Sequence, residues 1–434
     1  MKVIIVGGGW SGCAAAISAK KAGADVTVIE KTDLLLGLGN VGGIMRNNGR
    51  YTASEELIAL GGGELIKMTD KISVHRNVDF PGHKHATLYN VNMIEGEVSK
   101  YLKDIGINLM MESRVNDVNF KDGKIKGVYL SDGSYIDGDV FIETTGTTGP
   151  MGNCLRYGNG CSMCVLRCPA FGPRISISQR CGINDIQGER GDDILGAMSG
   201  SCKLVKESLS DEIRTELETK GVVVLKVPAE DVNYGKLETK VCQQYALKEF
   251  AENIVLLDTG HAKLMTTYYP LPKLRKIKGL ENAKYVDPYA GSKGNSIRYL
   301  SVAPRTNDMK VEGVDNLFCA GEKSGLFVGH TEAICTGTLA GHNAVRLGMG
   351  MPLLILPSSI AIGDIIAYAN EKAATREGRK DRYTFAGAGY FKRMKALGLY
   401  TLDMGAEMVL SLSGMGAIDN AVDDEHEALT PEKS

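Results

Sequence analysis

The sequence predicts an α/β protein built around a parallel sheet, and three observations lead to that class. An apolar run suited to a buried strand, Lys2–Val6, leads through a glycine-rich turn into an alanine-rich helix over residues 13–22. A second apolar strand follows at Asp25–Ile29. Much later, the strand at residues 316–319 is followed by a helix over residues 329–346. Strands that alternate with helices in this way are typical of a Rossmann-like fold.

The composition is that of an ordinary globular protein. A chain of 434 residues is long enough for two or three domains, and its hydrophobic content of 43% is unexceptional. The formal net charge of −2 argues against general polyanion binding. The first strand begins at Lys2, with no signal peptide before it, and the longest apolar stretch, residues 351–362, is too short to span a bilayer. We therefore expect a cytoplasmic protein without a membrane association, in which the cysteines stay reduced.

The first turn carries a dinucleotide-binding pattern. Gly7, Gly9 and Gly12 form G-x-G-x-x-G between strand and helix, and Glu30 ends the second strand about twenty positions later. Gly7 permits the turn, Gly9 lets the main chain approach a pyrophosphate, and Gly12 allows close packing of helix and strand. The helix N-terminus offers amide donors to the phosphates, while Glu30 can accept the ribose hydroxyls. We assign Lys31, which follows Glu30, to the same site.

Later segments favour FAD over NAD as the dinucleotide. A second glycine-rich loop soon after Glu30 can approach another part of a long ligand, and residues 132–148 predict a hairpin, then a strand, then a Thr/Gly-rich segment. The expected cofactor contacts are Asn40, Gly42 and Gly43 in the loop, and Thr145 and Gly146 in the Thr/Gly-rich segment. Val115, which lies between these two segments, is also an expected contact. No second strand–G-x-G-x-x-G–helix unit is present, so a dedicated NAD(P)H domain is not expected.

The strand at residues 316–319 continues into Ala-Gly-Glu322, and the helix after it opens with Gly329-His330-Thr331-Glu332-Ala333. This arrangement resembles the glutathione-reductase-like FAD-binding flavoproteins. The resemblance implies a carboxylate near the ribityl chain and a helix N-terminus that faces the flavin pyrimidine edge, where its dipole stabilises negative charge. The implied cofactor contacts are Gly321, Glu322, Gly329, His330, Thr331 and Ala333. His330 is also the expected catalytic acid or base, with packing or helix capping as its alternative role.

Several stretches are similar to the GidA/MnmG group of flavin-dependent tRNA-modifying proteins. They are the second glycine-rich loop with the helix after it, the run 275–283, the run 311–322, and Gly337-Thr-Leu-Ala-Gly-His-Asn-Ala344. The resemblance implies fold and flavin for about the first 350 residues. The tRNA enzymes of the group carry a cysteine just before the Asn of the early loop, where this chain has Gly39, and a second cysteine near residues 263–270, where it has none. We also expect no counterpart of their long C-terminal tRNA-binding region.

Four cysteines lie close together just after the first FAD segments, at Cys154, Cys161, Cys164 and Cys168. The last three match the C-x2-C-x3-C-P end of the bacterial ferredoxin pattern, so we expect a [4Fe-4S] cluster, with Cys181 as a substitute ligand. A Cys161–Cys164 redox dithiol, a zinc site and a cysteine-rich loop without a ligand are the alternatives.

The predicted domain organisation is a discontinuous FAD-binding domain, an insertion and a tail. The FAD domain covers residues 1–150 plus 303–350, and a mixed α/β substrate or cluster domain covers residues 151–302. Residues 351–434 form a small helical appendage with an acidic end, suited to packing on the core or on a second copy in a homodimer.

We therefore expect a FAD-dependent oxidoreductase in which a [4Fe-4S] cluster passes electrons between a ferredoxin-like carrier and the flavin, which acts on a small-molecule substrate. The alternative is a folate- or NAD(P)H-dependent flavoenzyme that modifies tRNA or rRNA.

Overall fold

The structure, a computed structural model, describes residues 1–146, 171–189, 197–199, 202–238, 245–266, 269–286, 296–298 and 300–404. All statements below refer to these residues. The cysteine run from Cys154 to Cys168 and the acidic end of the chain lie outside them. None of the described helices combines the length and the apolar character that a bilayer crossing requires.

The strands in chain order are β1 (Lys2–Val6), β2 (Asp25–Ile29), β3 (Ile44–Met45), β4 (Ser73–Phe80), β5 (His83–Tyr89), β6 (Asn108–Met110), β7 (Val115–Lys121), β8 (Lys124–Leu130), β9 (Tyr135–Asp137), β10 (Val140–Glu143), β11 (Ile186–Gln187), β12 (Ala197–Ser199), β13 (Cys202–Leu204), β14 (Val222–Lys226), β15 (Asn253–Asp258), β16 (Ala262–Leu264), β17 (Ser296–Arg298), β18 (Ser301–Val302) and β19 (Leu317–Cys319).

The helices in chain order are α1 (Trp10–Lys21), α2 (Arg50–Ala59), α3 (Glu64–Lys71), α4 (Ile94–Asp104), α5 (Ile177–Arg180), α6 (Asp211–Lys220), α7 (Gly235–Glu238), α8 (Glu249–Glu252), α9 (Leu271–Leu274), α10 (His330–Gly348), α11 (Ala361–Ala373), α12 (Arg376–Lys380) and α13 (Ala388–Ala396).

The central sheet is parallel, which confirms the predicted α/β class. Its strand order is β19-β10-β1-β2-β6, so β10 and β19 from distant parts of the chain complete the sheet begun by β1 and β2. Helices α1 and α10 cover one face, and small residues let them approach each other. A Cβ atom at Gly337 or Gly341 would overlap the carbonyl oxygens of Ser11 and Ala15. This contact places the N-termini of both helices at the same edge of the sheet.

Three antiparallel sheets are attached to this core. The sheet β7-β8-β9 packs on the opposite face of the central sheet. The inserted region forms the sheet β13-β16-β15-β14, and α6 covers it through Ile213 and Leu217. The third sheet, β3-β5-β4, packs against the inserted sheet in one apolar cluster that includes Phe80, Leu88 and Leu257. The inserted sheet is thereby held beside the second glycine-rich loop, which precedes β3. Two short antiparallel pairs, β11-β18 and β12-β17, complete the described strands.

The C-terminal helices lie on the core. Side chains of α11 and α13 belong to the same apolar cluster as β1, α1 and α10, and Tyr390 is fully buried. The Glu56 carboxylate of α2 accepts hydrogen bonds from the main-chain N–H groups of Ala361 and Ile362 at 2.8 and 2.9 Å. The described helices of the C-terminal region therefore pack directly on the main core.

Candidate functional site

The first glycine turn has three geometrically different glycines. Gly7 has a φ of 107°, and a Cβ there would lie 2.5 Å from the carbonyl oxygen of Thr144. A Cβ at Gly12 would overlap the carbonyl oxygen of Gly7, so only glycine lets α1 pack this closely on the turn. Among the described residues, and apart from its two chain neighbours, no atom lies within 4 Å of the position of a Cβ at Gly9. The main chain at Gly9 therefore borders open space at the N-terminus of α1, where a pyrophosphate would find amide donors.

Glu30 is fixed beside this turn. One carboxylate oxygen accepts the N–H of Gly8 at 2.7 Å, and the other accepts the N–H and the hydroxyl of Thr32, each at 2.9 Å. Two carboxylate oxygens offer about four acceptor directions, so one remains on the oxygen that faces Gly8. This is consistent with a ribose hydroxyl as a further donor. The Lys31 ammonium donates to the carbonyl oxygen of Gly172 at 2.7 Å, which holds the chain that returns after the cysteine run.

The second glycine-rich loop is a short 3-10 helix, Gly37–Val41, followed by two glycines. The Asn40 amide donates to the carbonyl oxygens of Leu35 and Gly37 at 2.8 and 3.1 Å, so this predicted ligand contact holds the loop in shape. A Cβ at Gly42 would overlap the imidazole of His330. A Cβ at Gly43, which has a φ of 88°, would lie 2.5 Å from the side chain of Thr259. The loop therefore lies between the start of α10 and the inserted sheet.

An aromatic cluster lies behind this loop. The rings of Trp10 and His330 are 5.6 Å apart and tilted by 35°, and Trp10 meets Tyr89 edge to face at 6.3 Å. The Tyr89 hydroxyl lies 3.3 Å from the carbonyl oxygen of Gly39 and 3.2 Å from His330 Nδ1. Burial raises the pKa of Tyr89, so it stays a neutral phenol. A Cβ at Gly39 would lie 2.6 Å from Trp10 Cδ1 and closer still to Nε1. A cysteine at position 39 therefore does not fit.

Buried polar atoms without a hydrogen-bond partner occur around the same loop. Among the described residues they include Trp10 Nε1, the Thr259 hydroxyl and the Thr331 hydroxyl. Thr259 touches Gly43, and Thr331 follows His330 in the first turn of α10. Buried polar groups normally find partners, so this set fits a polar ligand that lies along the loop. Together with the open space at Gly9, these atoms fit a long dinucleotide such as FAD.

The start of α10 is supported by a buried ion pair. Arg50 Nε lies 3.2 Å from the Glu332 carboxylate, which also accepts the Thr384 hydroxyl at 2.7 Å and the N–H of Phe385 at 2.9 Å. Gly329 has a φ of 149°, and a Cβ there would overlap both members of the pair. The geometry therefore requires glycine at this position and fixes the direction in which the helix N-terminus points.

A second buried charge cluster joins the strand ends. The Lys323 ammonium contacts Asp185, donates to the Ser176 hydroxyl at 2.9 Å and lies 3.7 Å from Glu143. Glu143 ends β10, and its carboxylate accepts the Thr145 hydroxyl at 3.0 Å and the first two N–H groups of α5 at 2.8 and 2.9 Å. The residues on either side of the cysteine run are therefore bound together at the carboxyl edge of the central sheet.

The remaining predicted contacts lie around this edge. Gly321 has a φ of 67°, and its N–H donates to the Thr336 hydroxyl at 2.9 Å. Gly146 has a φ of 74°, and Glu322 follows Gly321 half-buried. Ala333 lies in the first turn of α10, where its N–H donates to the carbonyl oxygen of Gly329 at 3.2 Å. Val115 is buried at the start of β7 in the cluster that covers the opposite face of the central sheet.

Two lysines of the inserted sheet reach the second glycine-rich loop. Lys263 donates to the carbonyl oxygens of Val41, at 2.8 Å, and Gly42, and Lys203 donates to that of Asn40 at 3.2 Å. The sequence alone did not indicate a place in the site for these two lysines, for Trp10 or for Tyr89. Lys263 lies between Ala262 and Leu264, and a charged residue in a short apolar run is the signal that points to it.

The predicted cluster ligands Cys154, Cys161, Cys164 and Cys168 all lie outside the described residues. Within the part that the structure describes, no three His, Cys, Asp or Glu side chains are grouped to hold a metal ion. Cys181, the suggested substitute ligand, is buried in an apolar cluster with Ile175 and Ile177. Burial raises the pKa of its thiol to about 12, which is typical of a cysteine in an apolar core.

Comparisons with known proteins agree with this geometry. A family model described as "Glucose inhibited division protein A" matches residues 2–245 and 255–352. The methylenetetrahydrofolate–tRNA-(uracil-5-)-methyltransferase TrmFO of Dictyoglomus thermophilum is 35% identical over 105 residues, 24% of this chain and 23% of that protein. The tRNA uridine 5-carboxymethylaminomethyl modification enzyme MnmG of Chlorobaculum tepidum is 29% identical over 169 residues, 36% of this chain and 26% of that protein. Both alignments thus span about a quarter of the curated relatives.

A solved structure of Aquifex aeolicus GidA superposes with a TM-score of 0.70 at 16% identity. The match covers 99% of this chain and 75% of that one, and it shows that the fold is shared.

Proposed function

The chain belongs to the glucose inhibited division protein A family, as a distant GidA/MnmG-like FAD-binding protein, and on that premise we propose that it is a FAD-dependent enzyme that modifies a uracil base of RNA. The family match through both the cofactor segments and most of the insertion is the observation that carries this function. The named relatives, TrmFO and MnmG, are both described as tRNA uridine-modifying enzymes. This favours the second of the two functions expected from the sequence over the first.

The residues around the second glycine-rich loop suit a flavin ring. Bound FAD would supply hydride or single-electron chemistry there. The N-terminus of α10 directs main-chain N–H groups and the positive end of its dipole to this place. Trp10 and Tyr89 are buried behind the loop and keep water from that side. Glu30 and the open main chain at Gly9 would hold the adenosine ribose and the pyrophosphate.

We assign His330 the role of proton donor and acceptor. In the proposed arrangement the Tyr89 hydroxyl donates to the carbonyl oxygen of Gly39 and its oxygen accepts the Nδ1–H of the His330 tautomer that carries its proton on Nδ1. In the neutral imidazole this makes Nε2 the basic nitrogen, which can take a proton from a base or return one. This mechanism has no covalent step at position 39, because Gly39 has no nucleophilic side chain. Trp10 occupies the space that a cysteine side chain would need there.

The decisive experiment combines binding and product analysis. The purified, FAD-loaded protein is incubated anaerobically with an unmodified tRNA transcript and with methylenetetrahydrofolate as carbon donor and NADH as reductant, together and each alone, and the nucleosides of the digested tRNA are identified by mass spectrometry. We expect retention of tRNA on filters at low salt and one modified uridine. FAD-loaded protein that neither retains tRNA nor changes a nucleoside would contradict the function.

A second function is favoured by the cysteine spacing. In it, Cys154, Cys161, Cys164 and Cys168 would hold a [4Fe-4S] cluster, which would supply single-electron transfer between a ferredoxin-like carrier and FAD. The described residues that follow the run are bonded to the cofactor segments, since Lys31 donates to Gly172 and Glu143 accepts from Ile177. Iron and sulfide analysis after anaerobic purification tests it. About four iron atoms per chain would support the cluster, and flavin without iron would contradict it.

A further inference from the structure

Two lysines face each other across the inserted sheet. Lys203 of β13 and Lys263 of β16 are register partners in an antiparallel pair. Like charges directly opposite each other destabilise such a pair. Lys263 is also only 5% exposed, and a buried ammonium group is costly unless polar groups surround it. The sheet thus retains two lysines at positions where their positive charges lower its stability.

Between them, the two ammonium groups bind three consecutive main-chain carbonyls of the second glycine-rich loop. Lys203 donates to Asn40, while Lys263 donates to Val41 and Gly42. The other side of Gly42 is occupied by His330, the first residue of α10. A helix N-terminus carries about half a positive charge. Lysine ammonium groups and the helix N-terminus therefore approach the second glycine-rich loop from two sides, and both contribute positive potential.

We propose that Lys263, assisted by Lys203, stabilises the negative charge that the bound flavin acquires on reduction. This role rests on the proposed FAD binding. In a site shielded from water, a fixed positive charge favours the anionic form of a nearby group far more than it would in water. The same lysines also connect the inserted sheet to the cofactor loop. A purely connecting role would depend on their hydrogen bonds, whereas the role in reduction depends on charge.

The affinity of the bound flavin for sulfite distinguishes an effect of the lysine charge from the loss of a contact between the inserted sheet and the loop. Sulfite adds reversibly to oxidised flavin through its lone pair, forming a sulfur–nitrogen bond at N5 and leaving the ring system negatively charged, so its dissociation constant reports the local potential. The variants are Lys263→Gln, Lys263→Arg, which keeps the charge, and Lys220→Gln as the control. Lys220 pairs with Glu216 at 2.9 Å on the exposed surface of α6. FAD content is measured first for each protein.

We expect Lys263→Gln to keep FAD and to bind sulfite at least tenfold more weakly. A tenfold change in the ratio of oxidised to reduced flavin corresponds to about 30 mV in a two-electron midpoint potential, measured by dye equilibration. The sulfite dissociation constants of Lys263→Arg and Lys220→Gln should stay within threefold of that of the unsubstituted protein.

Unchanged sulfite affinity in FAD-loaded Lys263→Gln overturns the role in reduction. If Lys263→Gln is purified without FAD, the Lys203→Gln variant is used for the test. Weaker sulfite binding by FAD-loaded Lys203→Gln supports the role in reduction. Unchanged sulfite binding by Lys203→Gln, or loss of FAD from this variant as well, overturns that role in favour of a connecting role. If the unsubstituted protein itself binds no FAD, the proposed function fails instead.

Discussion

At the scale of single residues, the glycines of the first turn serve two different purposes. The space at Gly12 is filled by the carbonyl of Gly7, so this glycine is required by the protein itself. No described residue other than its two chain neighbours comes within 4 Å of a Cβ at Gly9, so the described part of the protein does not itself require glycine there. A requirement for glycine at position 9 would therefore come from a ligand. The two positions provide a matched pair of substitutions.

Gly9→Ala should leave the free energy of unfolding of the FAD-free protein within about 0.5 kcal/mol of its original value. The same change should weaken FAD binding, because the new methyl group would occupy the space of the pyrophosphate. Gly12→Ala should lower the free energy of unfolding by about 1–3 kcal/mol, since the helix must move away from the turn. Urea unfolding and FAD titration measure both effects. Equal FAD affinity in Gly9→Ala would place the pyrophosphate elsewhere.

The contact between Gly39 and Trp10 separates this chain from the cysteine-bearing tRNA enzymes that its early loop resembles. Gly39→Cys should lower the free energy of unfolding by about 1–3 kcal/mol, because the new side chain overlaps the indole ring. Trp10→Leu removes that overlap at the cost of a cavity. In a urea-unfolding cycle of the four proteins, the double variant should be at least about 1 kcal/mol more stable than the sum of the single changes indicates. Additive effects of the two substitutions on the free energy of unfolding would show that the Trp10 indole does not exclude a side chain from position 39.

At the scale of elements, the attachment of α11 depends on one buried carboxylate. Glu56 is 1% exposed and accepts hydrogen bonds from the first two N–H groups of α11, which satisfy donors that a helix leaves unpaired. Burial raises the pKa of Glu56 from 4.5 to about 7, and the two hydrogen bonds oppose that rise. The attachment should therefore respond to pH in the neutral range.

The sign follows from proton binding. Between pH 4.5 and 7 the folded protein retains a proton on Glu56 that the unfolded chain has lost, so the free energy of unfolding falls as the pH rises. The decrease in the free energy of unfolding that comes from Glu56 should total about 3 kcal/mol and be complete above pH 7. Glu56→Gln cannot titrate and should lack this component. Urea unfolding at pH 5, 6, 7 and 8 measures it, and parallel pH profiles for the two proteins would rule out a shifted Glu56.

The elements most readily predicted from the sequence are those defined by local pattern. The strands β1 and β2, the turn between β1 and α1, and helix α10 follow from continuous apolar runs and from glycine spacing. The strands β4 and β5 cannot be predicted in this way, because their pairing contains register shifts that break the alternation of apolar and polar residues. Their apolar side faces the inserted sheet, which the chain reaches only after more than a hundred further residues.

The same distinction applies to the candidate site. The glycines at 7, 9 and 12 are close in sequence and have local roles. The contact between Tyr89 and His330 joins residues 241 positions apart, and that between Lys263 and Gly42 joins residues 221 positions apart. No local pattern encodes such contacts, so they emerge only from the folded chain. A charged residue in an apolar strand is the sole hint of Lys263.

At the scale of the whole molecule, the C-terminal region is part of the main core. The residues that it contributes to that core are Leu356, Ile360, Ala361, Ile362, Ile365, Ile366, Ala369, Tyr383, Phe385, Tyr390 and Met394. The region also reaches the candidate site, since Thr384 and Phe385 bind the Glu332 carboxylate under the start of α10. Arg305, which is 1% exposed, donates to the carbonyl oxygen of Ile366 at 3.0 Å. Core and tail therefore stabilise each other.

A chain that ends at residue 350 should consequently fail to fold, although it contains every segment that is expected to bind FAD. Burial of one large apolar side chain contributes about 1.5–3 kcal/mol, so loss of several such residues exceeds a total free energy of unfolding of about 5–15 kcal/mol. A chain that ends at residue 404 keeps all the described contacts and serves as the control. We expect the shorter chain to aggregate and the longer one to purify with FAD and a melting temperature within a few degrees of the full chain, by size exclusion and thermal unfolding. A monodisperse, FAD-loaded chain of 350 residues would instead show that the FAD-binding part folds independently and that the C-terminal helices only pack against its surface.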